Sequence, residues 1–296
     1  GGAHPPLGGR RGGKPARGGG GAGGSGHRGI IGRRSAGVAD NSPMPAASPP
    51  RFLAIECSTD TLSVALGSGR PGDAVAEHTG PGGPQSSTSL LPAVRRLLTQ
   101  AECTLADLSA IAFARGPGSF TGLRTACAVA QGLAYGTRST AHPDGLPVLA
   151  IDTLLALAET ATPTDHHGPV ATVLDARMDE LYVAAWQRLD GGWTERQPPR
   201  LCAPAQLADW LADSLPGETP LLAGNVFGSA SPPLAELQQT HRWLSAVPSA
   251  AALLRLAPGA WLRGEAIPAH AAVPMYVRDK VARTTAEREL ASGATP

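Results

Sequence analysis

The sequence predicts an α/β fold built as two related lobes. Short apolar runs typical of buried strands alternate along the chain with amphipathic helical patterns. These patterns occur in two successive sets, separated at residues 143–147 by a turn rich in Gly and Pro. The chain after residue 50 is long enough to bury a core of that size.

The first set begins with three predicted strands. Segment 51–58 contains a continuous apolar run, segment 62–68 alternates apolar and small or polar residues, and segment 74–79 follows a Gly-Pro turn. Because the connections are short, the three strands are expected to form a meander. A fourth buried strand is predicted at 110–114.

Two helices complete the first set. Segment 89–101 has apolar residues at helical spacing, with Ser89 as its expected N-cap and Pro92 tolerated in the first turn. Segment 121–136 directly follows the strand at 110–114. The order predicted for this set is therefore β-β-β-α-β-α.

The second set repeats the mixture of strands and helices. The charged connection 175–180 lies between two of its strands and is predicted to be a solvated turn with local ion pairs, because no histidine or metal pattern accompanies it. The predicted strands are 148–151, 170–174, 181–186 and 221–223, and the predicted helices are 153–159, 204–211 and 249–263.

Composition divides the chain near residue 50. Residues 1–50 hold 16 of the 37 glycines and have a net charge of +6, so they are predicted to be a disordered Gly/Arg/Pro-rich tail. Met44, the first methionine, is the expected translation start. The lobes are predicted at 51–146 and 147–280, and 281–296 is predicted to be a flexible C-terminal tail.

The sequence predicts a cytoplasmic protein without a membrane partner, because it offers neither a signal-peptide pattern nor about 18 consecutive apolar residues. No pair of histidines has the spacing of a helical zinc site, so no metal is expected. Two Arg-Gly-Gly triplets in the tail leave RNA binding as an alternative role for it. Widely spaced cysteines predict free buried thiols at Cys57, Cys103, Cys127 and Cys202.

The turn before the helix at 121–136 has the composition of a contact loop. Gly116 and Gly118 are expected to take positive φ, and Ser119 is a candidate N-cap whose neighbouring N–H groups would attract an anion. A plain strand-to-helix connection is the alternative. Arg124 lies where the helix dipole disfavours a cation by roughly 0.3–1 kcal/mol, so it is expected to face a carboxylate, a phosphate or a partner chain. A buried ion pair within the chain is the alternative.

The helix at 121–136 carries a second stripe of mostly small residues beside its core-facing stripe. Gly132 in this stripe costs about 1 kcal/mol relative to alanine, which close approach of another backbone would explain. That backbone belongs either to the helix at 89–101 of the same chain or to another protein. The stripe consists of Thr121, Thr125, Ala128, Gly132 and Tyr135.

Four segments together resemble the bacterial TsaB (YeaZ) family. They are Leu53–Leu66, Gly116–Arg124, Leu174–Met178 and Pro274–Asp279, and they occur in the family's order. The resemblance covers residues 51–280. It implies an actin-like ATPase (ASKHA, RNase H-like) fold of two lobes, with mixed sheets flanked by helices.

The resemblance also implies a supporting, non-catalytic role. In this family TsaB pairs with TsaD, which transfers threonylcarbamoyl from an adenylate to N6 of adenosine 37 in tRNAs that read codons beginning with A, and TsaE is the ATPase partner. The chain is then expected to meet tRNA only through the complex and to bind no cofactor by itself. ATP or ADP is expected only in the assembled complex, and a homodimer is possible when the chain is alone.

Two groups of site residues are predicted from this resemblance and from the helical stripes. The expected TsaD interface, on the helices 89–101 and 121–136, comprises Leu90, Leu91, Val94, Leu98, Thr125, Ala128, Gly132 and Tyr135. A loop group near a nucleotide or the interface comprises Ser58, Thr59, Ser119, Thr121 and Arg124.

The first hairpin departs from the pattern of nucleotide-binding relatives. Glu56 stands where the family usually has aspartate, and Ser86 stands where many relatives have histidine. The hairpin 56–61 also lacks the glycine that would bring its backbone close to phosphates. An autonomous ATPase or phosphotransferase of the actin-like fold is therefore the second-ranked hypothesis.

Overall fold

The computed structural model describes residues 49–140, 143–163, 165–190, 192–227 and 232–278. Within these ranges the chain forms ten strands in two sheets, with six α-helices. The predicted tails, apart from Pro49 and Pro50, and Met44 lie outside the described residues.

The first sheet has the strand order β3-β2-β1-β4-β5. Strand β1 pairs antiparallel with β2 and parallel with β4. Strand β5, which follows the predicted lobe boundary, pairs with β4 and so belongs to this sheet. The elements are β1 (Phe52–Glu56), β2 (Thr61–Gly67), β3 (Ala76–Pro81), α1 (Ser86–Gln100), β4 (Ala110–Gly116), α2 (Phe120–Tyr135) and β5 (Val148–Asp152).

The second sheet has the strand order β10-β9-β6-β7-β8. The elements are α3 (Thr153–Ala161), β6 (Pro169–Asp175), β7 (Leu181–Leu189), β8 (Gly192–Cys202), α4 (Leu207–Ser214), β9 (Leu221–Gly224), α5 (Pro232–Thr240), β10 (Trp243–Ser245) and α6 (Ala250–Leu262).

The two sheets share one topology. In each sheet the first strand of the set is central, the second and third lie on one side, and the fourth and fifth lie on the other. Helices connect the third strand to the fourth and the fourth to the fifth in both cases. The predicted actin-like architecture of two related mixed sheets is confirmed.

Helices cover both faces of the first sheet. Leu53 and Ile55 of β1 point towards α1 and α2, whereas Phe52 and Ala54 point towards α6. Helix α3 packs on the second sheet, and its Ala156 joins the apolar cluster around α6. Helices α3 and α6 thus lie between the two sheets.

Helix α1 begins earlier than predicted. Its N-cap is Gln85, after a short 3₁₀ turn at Gly83–Gln85, so Ser89 lies inside the helix. Pro92 is then the seventh helical residue and lies beyond the first turn. The expectations for Ser89 and Pro92 are therefore wrong, because the proline in the 3₁₀ turn lets the chain enter the helix sooner.

Candidate functional site

Close backbone approach explains the glycines around the start of α2. Gly116 has φ +123°, as predicted. Gly118 does not have positive φ, and that prediction is wrong; a Cβ there would lie 2.6 Å from the carbonyl oxygen of Ser58. A Cβ at Gly122 would lie 1.8 Å from the carbonyl oxygen of Cys57. The glycines thus let the first turn of α2 pack against the end of β1.

Ser119 caps α2, as predicted. Its Oγ accepts a hydrogen bond from the backbone N–H of Gly122 at 3.4 Å. Its own N–H donates to the carbonyl oxygen of Ser58 at 2.7 Å. Because this N–H is satisfied within the chain, the geometry favours a packed strand-to-helix connection over an open anion site at Ser119.

Arg124 contacts aromatic rings. Its Cζ lies 3.6 Å from the centroid of the Phe120 ring, and its Nε donates to the hydroxyl of Tyr276 at 3.0 Å. The two ring centroids are 5.4 Å apart. Within the described ranges Arg124 forms no ion pair with a carboxylate. The alternative of an ion pair within the chain is therefore excluded for these ranges.

The segment 272–278 ties α2 to the second sheet. The Gln131 side chain donates to the carbonyl oxygen of Ala272 at 3.1 Å. The backbone N–H of Met275 donates to the carbonyl oxygen of Arg115 at 2.6 Å. At the end of the segment, the Arg278 guanidinium contacts the β6–β7 turn. This C-terminal strap therefore crosses from the first half of the molecule to the second.

The β6–β7 turn has an unusual backbone. Arg177, Met178 and Asp179 have φ values of 63°, 57° and 56°, a region that L-residues rarely adopt in succession. The Arg278 guanidinium donates to the carbonyl oxygens of Ala176 at 3.1 Å and Arg177 at 3.3 Å, and it also pairs with Glu180. Arg278 therefore holds the turn in its disfavoured conformation.

A cleft of about 300 Å³ opens between the β1–β2 hairpin, the start of α2 and the β6–β7 turn. Arg177 spans it, with ion pairs to Asp60 at 2.7 Å and to Asp175 at 3.3 Å. The local ion pairs predicted for this turn are thus present. Its polar lining includes Ser58, Thr59, Asp60, Ser119, Thr121, Asp175, Arg177, Tyr182, Asn225 and Arg278.

The cleft brings four of the five predicted loop residues together, namely Ser58, Thr59, Ser119 and Thr121. Arg124 is not part of the cleft lining; it contacts Phe120, which lines the cleft, and Tyr276, which does not. A nucleotide role for these residues stays a prediction. Sequence reasoning missed Arg278 as a contact of the turn, although it lies within the closing motif that carries the family resemblance.

The predicted helical interface divides into exposed and buried members. Leu91 and Tyr135 are each 40% exposed, Ala128 and Gly132 are exposed, and Leu98 and Thr125 are half-buried. The other two members, Leu90 and Val94, require a correction. Their side chains are buried in the chain's own core, because α1 turns that face towards β1 and β2.

Gly132 lies on an open surface. A Cβ built there would meet no described atom within 4 Å. The alternative that α1 of the same chain packs closely on Gly132 is therefore wrong for the described residues. The exposed face of α2 is defined here as Arg124, Thr125, Ala128, Gly132 and Tyr135. Nothing in the described part of this chain covers Gly132, whereas Arg124 contacts Tyr276 of the strap.

Glu56 is a fully buried carboxyl group at the end of β1. Its Oε1 accepts a hydrogen bond from the N–H of Ser58 at 2.5 Å. Burial raises the pKa of Glu56 from 4.5 to about 7, although the hydrogen bonds from Ser58 oppose the shift. Burial likewise raises the pKa of Asp152, at the end of β5, from 3.8 to about 6.

We expect this raised pKa of Glu56 to make the protein less stable as pH rises. The folded chain binds the Glu56 proton more tightly than the unfolded chain, so this contribution is present below pH 4.5 and is lost as pH rises to about 7. The loss is about 3 kcal/mol. Urea unfolding of Glu56→Gln between pH 4 and 8 should show a correspondingly flatter profile.

Asp152→Asn is the matched control, because it removes the second buried carboxylate while leaving Glu56 in place. It should remove only the part of the profile that lies between pH 3.8 and about 6. A Glu56→Gln profile as steep as that of the parent would contradict the assignment.

Three further expectations concern the cysteines, a metal site and a membrane-spanning helix. The four cysteines are free and buried, as predicted. No three His, Cys, Asp or Glu side chains in the described ranges cluster closely enough to hold a metal ion. None of the helices in the same ranges is both long and apolar enough to cross a membrane.

Two sheets of one topology, with a cleft between their hairpin turns, define a protein of the actin-like α/β class. A family model described as TsaD, tRNA N6-adenosine threonylcarbamoyltransferase, matches residues 77–284. The Haemophilus influenzae tRNA threonylcarbamoyladenosine biosynthesis protein TsaB is 32% identical over 245 residues, covering 78% of this chain and 94% of that protein. The chain belongs to the bacterial TsaB (YeaZ) family.

Two further relatives agree. The Escherichia coli K12 protein TsaB is 38% identical over 143 residues, covering 48% of this chain and 57% of that protein. The structure of YeaZ from Pseudomonas aeruginosa superimposes with a TM-score of 0.64 at 33% identity, covering 77% of this chain and 99% of that one. The family predicted from the four sequence motifs is confirmed.

Proposed function

We propose that this chain acts in tRNA threonylcarbamoyladenosine biosynthesis as a non-catalytic subunit that pairs with TsaD. The observation that carries the proposal is the exposed face of α2, where small residues and the open Gly132 leave room for another backbone. Small residues at such a face allow helices to approach closely. The family membership supports TsaD as the protein that covers it, with TsaE joining the assembled complex.

The residues of the cleft fit a non-catalytic subunit better than a catalytic one. No glycine occurs in the β1–β2 turn at residues 56–61, so side chains keep its backbone away from a phosphate. Both carboxylates at the cleft mouth, Asp60 and Asp175, are bound to Arg177. They are therefore already engaged by a cation of the chain itself. We infer that ATP or ADP binds only where TsaD or TsaE completes the site.

Reconstitution tests this proposal. Threonylcarbamoyl transfer to tRNA is measured with TsaD and TsaE from the same organism, with and without this chain, and ATP hydrolysis is measured for the chain alone. We expect transfer only when the chain is present, and no hydrolysis by the chain alone. Full transfer without the chain would contradict the proposal. Steady hydrolysis by the chain alone would favour the alternative of an autonomous ATPase, for which the cleft provides space.

Gly132→Leu should fold normally and bind TsaD at least about tenfold more weakly, because the added bulk separates the two backbones. The open space at Gly132 is the reason to expect normal folding. Calorimetric titration with TsaD measures the affinity, and thermal unfolding measures the fold. Ala212→Leu, at an exposed position of α4 beside the second sheet, is the control and should bind like the parent. Equal binding by Gly132→Leu would exclude this face.

A further inference from the structure

We propose that Phe120, Arg124 and Tyr276 form a receptor for a carboxylate on the protein that covers the exposed face of α2. This inference rests on the proposed function, and it adds the chemistry of the partner: an acidic side chain opposite Arg124, near the N-terminal end of α2. The three residues are named here the aromatic–arginine cluster.

The guanidinium of Arg124 is oriented but not neutralised. Its Nε is occupied by the Tyr276 hydroxyl at 3.0 Å, and its plane is held over the Phe120 ring. The terminal nitrogens of Arg124 have no hydrogen-bond partner within the described ranges. Two N–H groups on neighbouring nitrogens match the two oxygens of a carboxylate, which is the geometry of the strongest arginine ion pairs.

The two rings make this guanidinium ready for binding. Phe120 is 36% exposed and Tyr276 is 46% exposed, so the cluster is accessible at the surface. Stacking limits the rotamers of a long side chain before a partner arrives, which reduces the entropy lost on binding. Arginine and tyrosine are also enriched among the residues that contribute most to protein–protein affinity.

Charge selects the partner. Arg124 is the fifth residue of α2, near the helix end that carries partial positive charge, and its nearest described contacts are uncharged rings. Because no carboxylate of the described residues pairs with Arg124, its charge is available to a negative group of a partner. An acidic side chain therefore fits this position, and a basic one is repelled.

Position connects the cluster to the partner face. Arg124, Ala128 and Gly132 follow one another at intervals of four residues, so they lie along one side of α2. A helix laid along that side would reach the cluster at the N-terminal end of α2. The partner's acidic residue is thus expected near one end of the segment that contacts Gly132.

Titration of purified TsaD into Arg124→Met tests the inference. We expect affinity to fall about tenfold or more at 50 mM salt, with a smaller loss at 500 mM salt, because screening already weakens the parent ion pair. Arg124→Lys should restore only part of the affinity, since an ammonium cannot form the paired contact. Arg200→Met, at an exposed position of β8 in the second sheet, is the matched control and should bind like the parent.

The outcomes separate the inference from the proposed function. If Arg124→Met binds like the parent while Gly132→Leu does not, the carboxylate receptor is overturned and the α2 interface stands. If neither substitution weakens binding, the α2 interface itself is overturned. A parallel titration with unmodified tRNA is the third arm: loss of tRNA affinity with unchanged TsaD affinity would mean that Arg124 contacts RNA phosphate, which also overturns the proposal.

Discussion

Gly122→Ala should destabilise the protein by about 3 kcal/mol or more, at the upper end of what overpacking costs. The new Cβ would lie 1.8 Å from the carbonyl oxygen of Cys57 and 2.9 Å from its carbonyl carbon. Both are backbone atoms at the end of a central strand, so no side-chain rotation relieves the clash. Either α2 moves away from β1 or the end of the strand shifts. Both changes disturb the apolar core between the first sheet and helices α1 and α2. Urea unfolding at pH 7 measures the loss.

Gly132→Ala, in the same helix, is the matched control for this prediction. Its Cβ meets no described atom, so only the better helix propensity of alanine remains. It should stabilise the protein by up to about 1 kcal/mol. The two identical substitutions, ten positions apart, should therefore have opposite signs. A Gly122→Ala protein as stable as the parent would mean that the contact between α2 and β1 is looser than described.

Glu159→Ala should lower the free energy of unfolding by about 3–5 kcal/mol, because it leaves buried donors without their acceptor. Glu159, on α3, is 12% exposed at its side chain. Its carboxylate accepts from Arg188 Nη2 at 2.8 Å, Trp193 Nε1 at 2.8 Å and Arg255 Nε at 2.6 Å. These donors come from β7, β8 and α6, so one carboxylate joins four elements. Arg188, only 14% exposed at its side chain, would lose its counter-charge.

Glu265→Ala supplies the comparison for the Glu159 substitution. Glu265 also pairs with an arginine, Arg263, but both side chains are more than half exposed. Its loss should cost less than about 1 kcal/mol, as for other surface ion pairs. Urea unfolding of both variants and of Glu159→Gln, which keeps the shape and removes the charge, separates burial from pairing. Equal, small losses for Glu159→Ala and Glu265→Ala would show that the network contributes no more than a surface pair.

Strong apolar periodicity made most of the elements predictable. Strands such as β1 and β6 are almost entirely buried and mostly apolar. Three elements were missed: β8, α5 and β10. Strand β8 contains Pro198 and Pro199 and is mostly half-exposed, which a sheet tolerates because β8 is an edge strand. Strand β10 has only three residues, and helix α5 begins with two prolines.

Site prediction succeeded where the determining contact was local. The Ser119 cap depends on Gly122, three residues away, and could be predicted. The contact of Arg124 with Tyr276 joins residues 152 positions apart and could not. Leu90 and Val94 were assigned to the wrong face because helical spacing identifies an apolar stripe without telling what covers it. The partner assignment for α2 stays a prediction.

The late position of α6 in the chain has a consequence for folding during translation. The five strands of the first sheet are complete at Asp152, but α6, which covers Phe52 and Ala54, begins only at Ala250. On the ribosome the second sheet must be translated before α6 can cover the face of the first sheet that carries Phe52 and Ala54. A nascent chain that stops before Ala250 therefore presents a finished sheet with one apolar side uncovered, which makes it a target for chaperones and for aggregation.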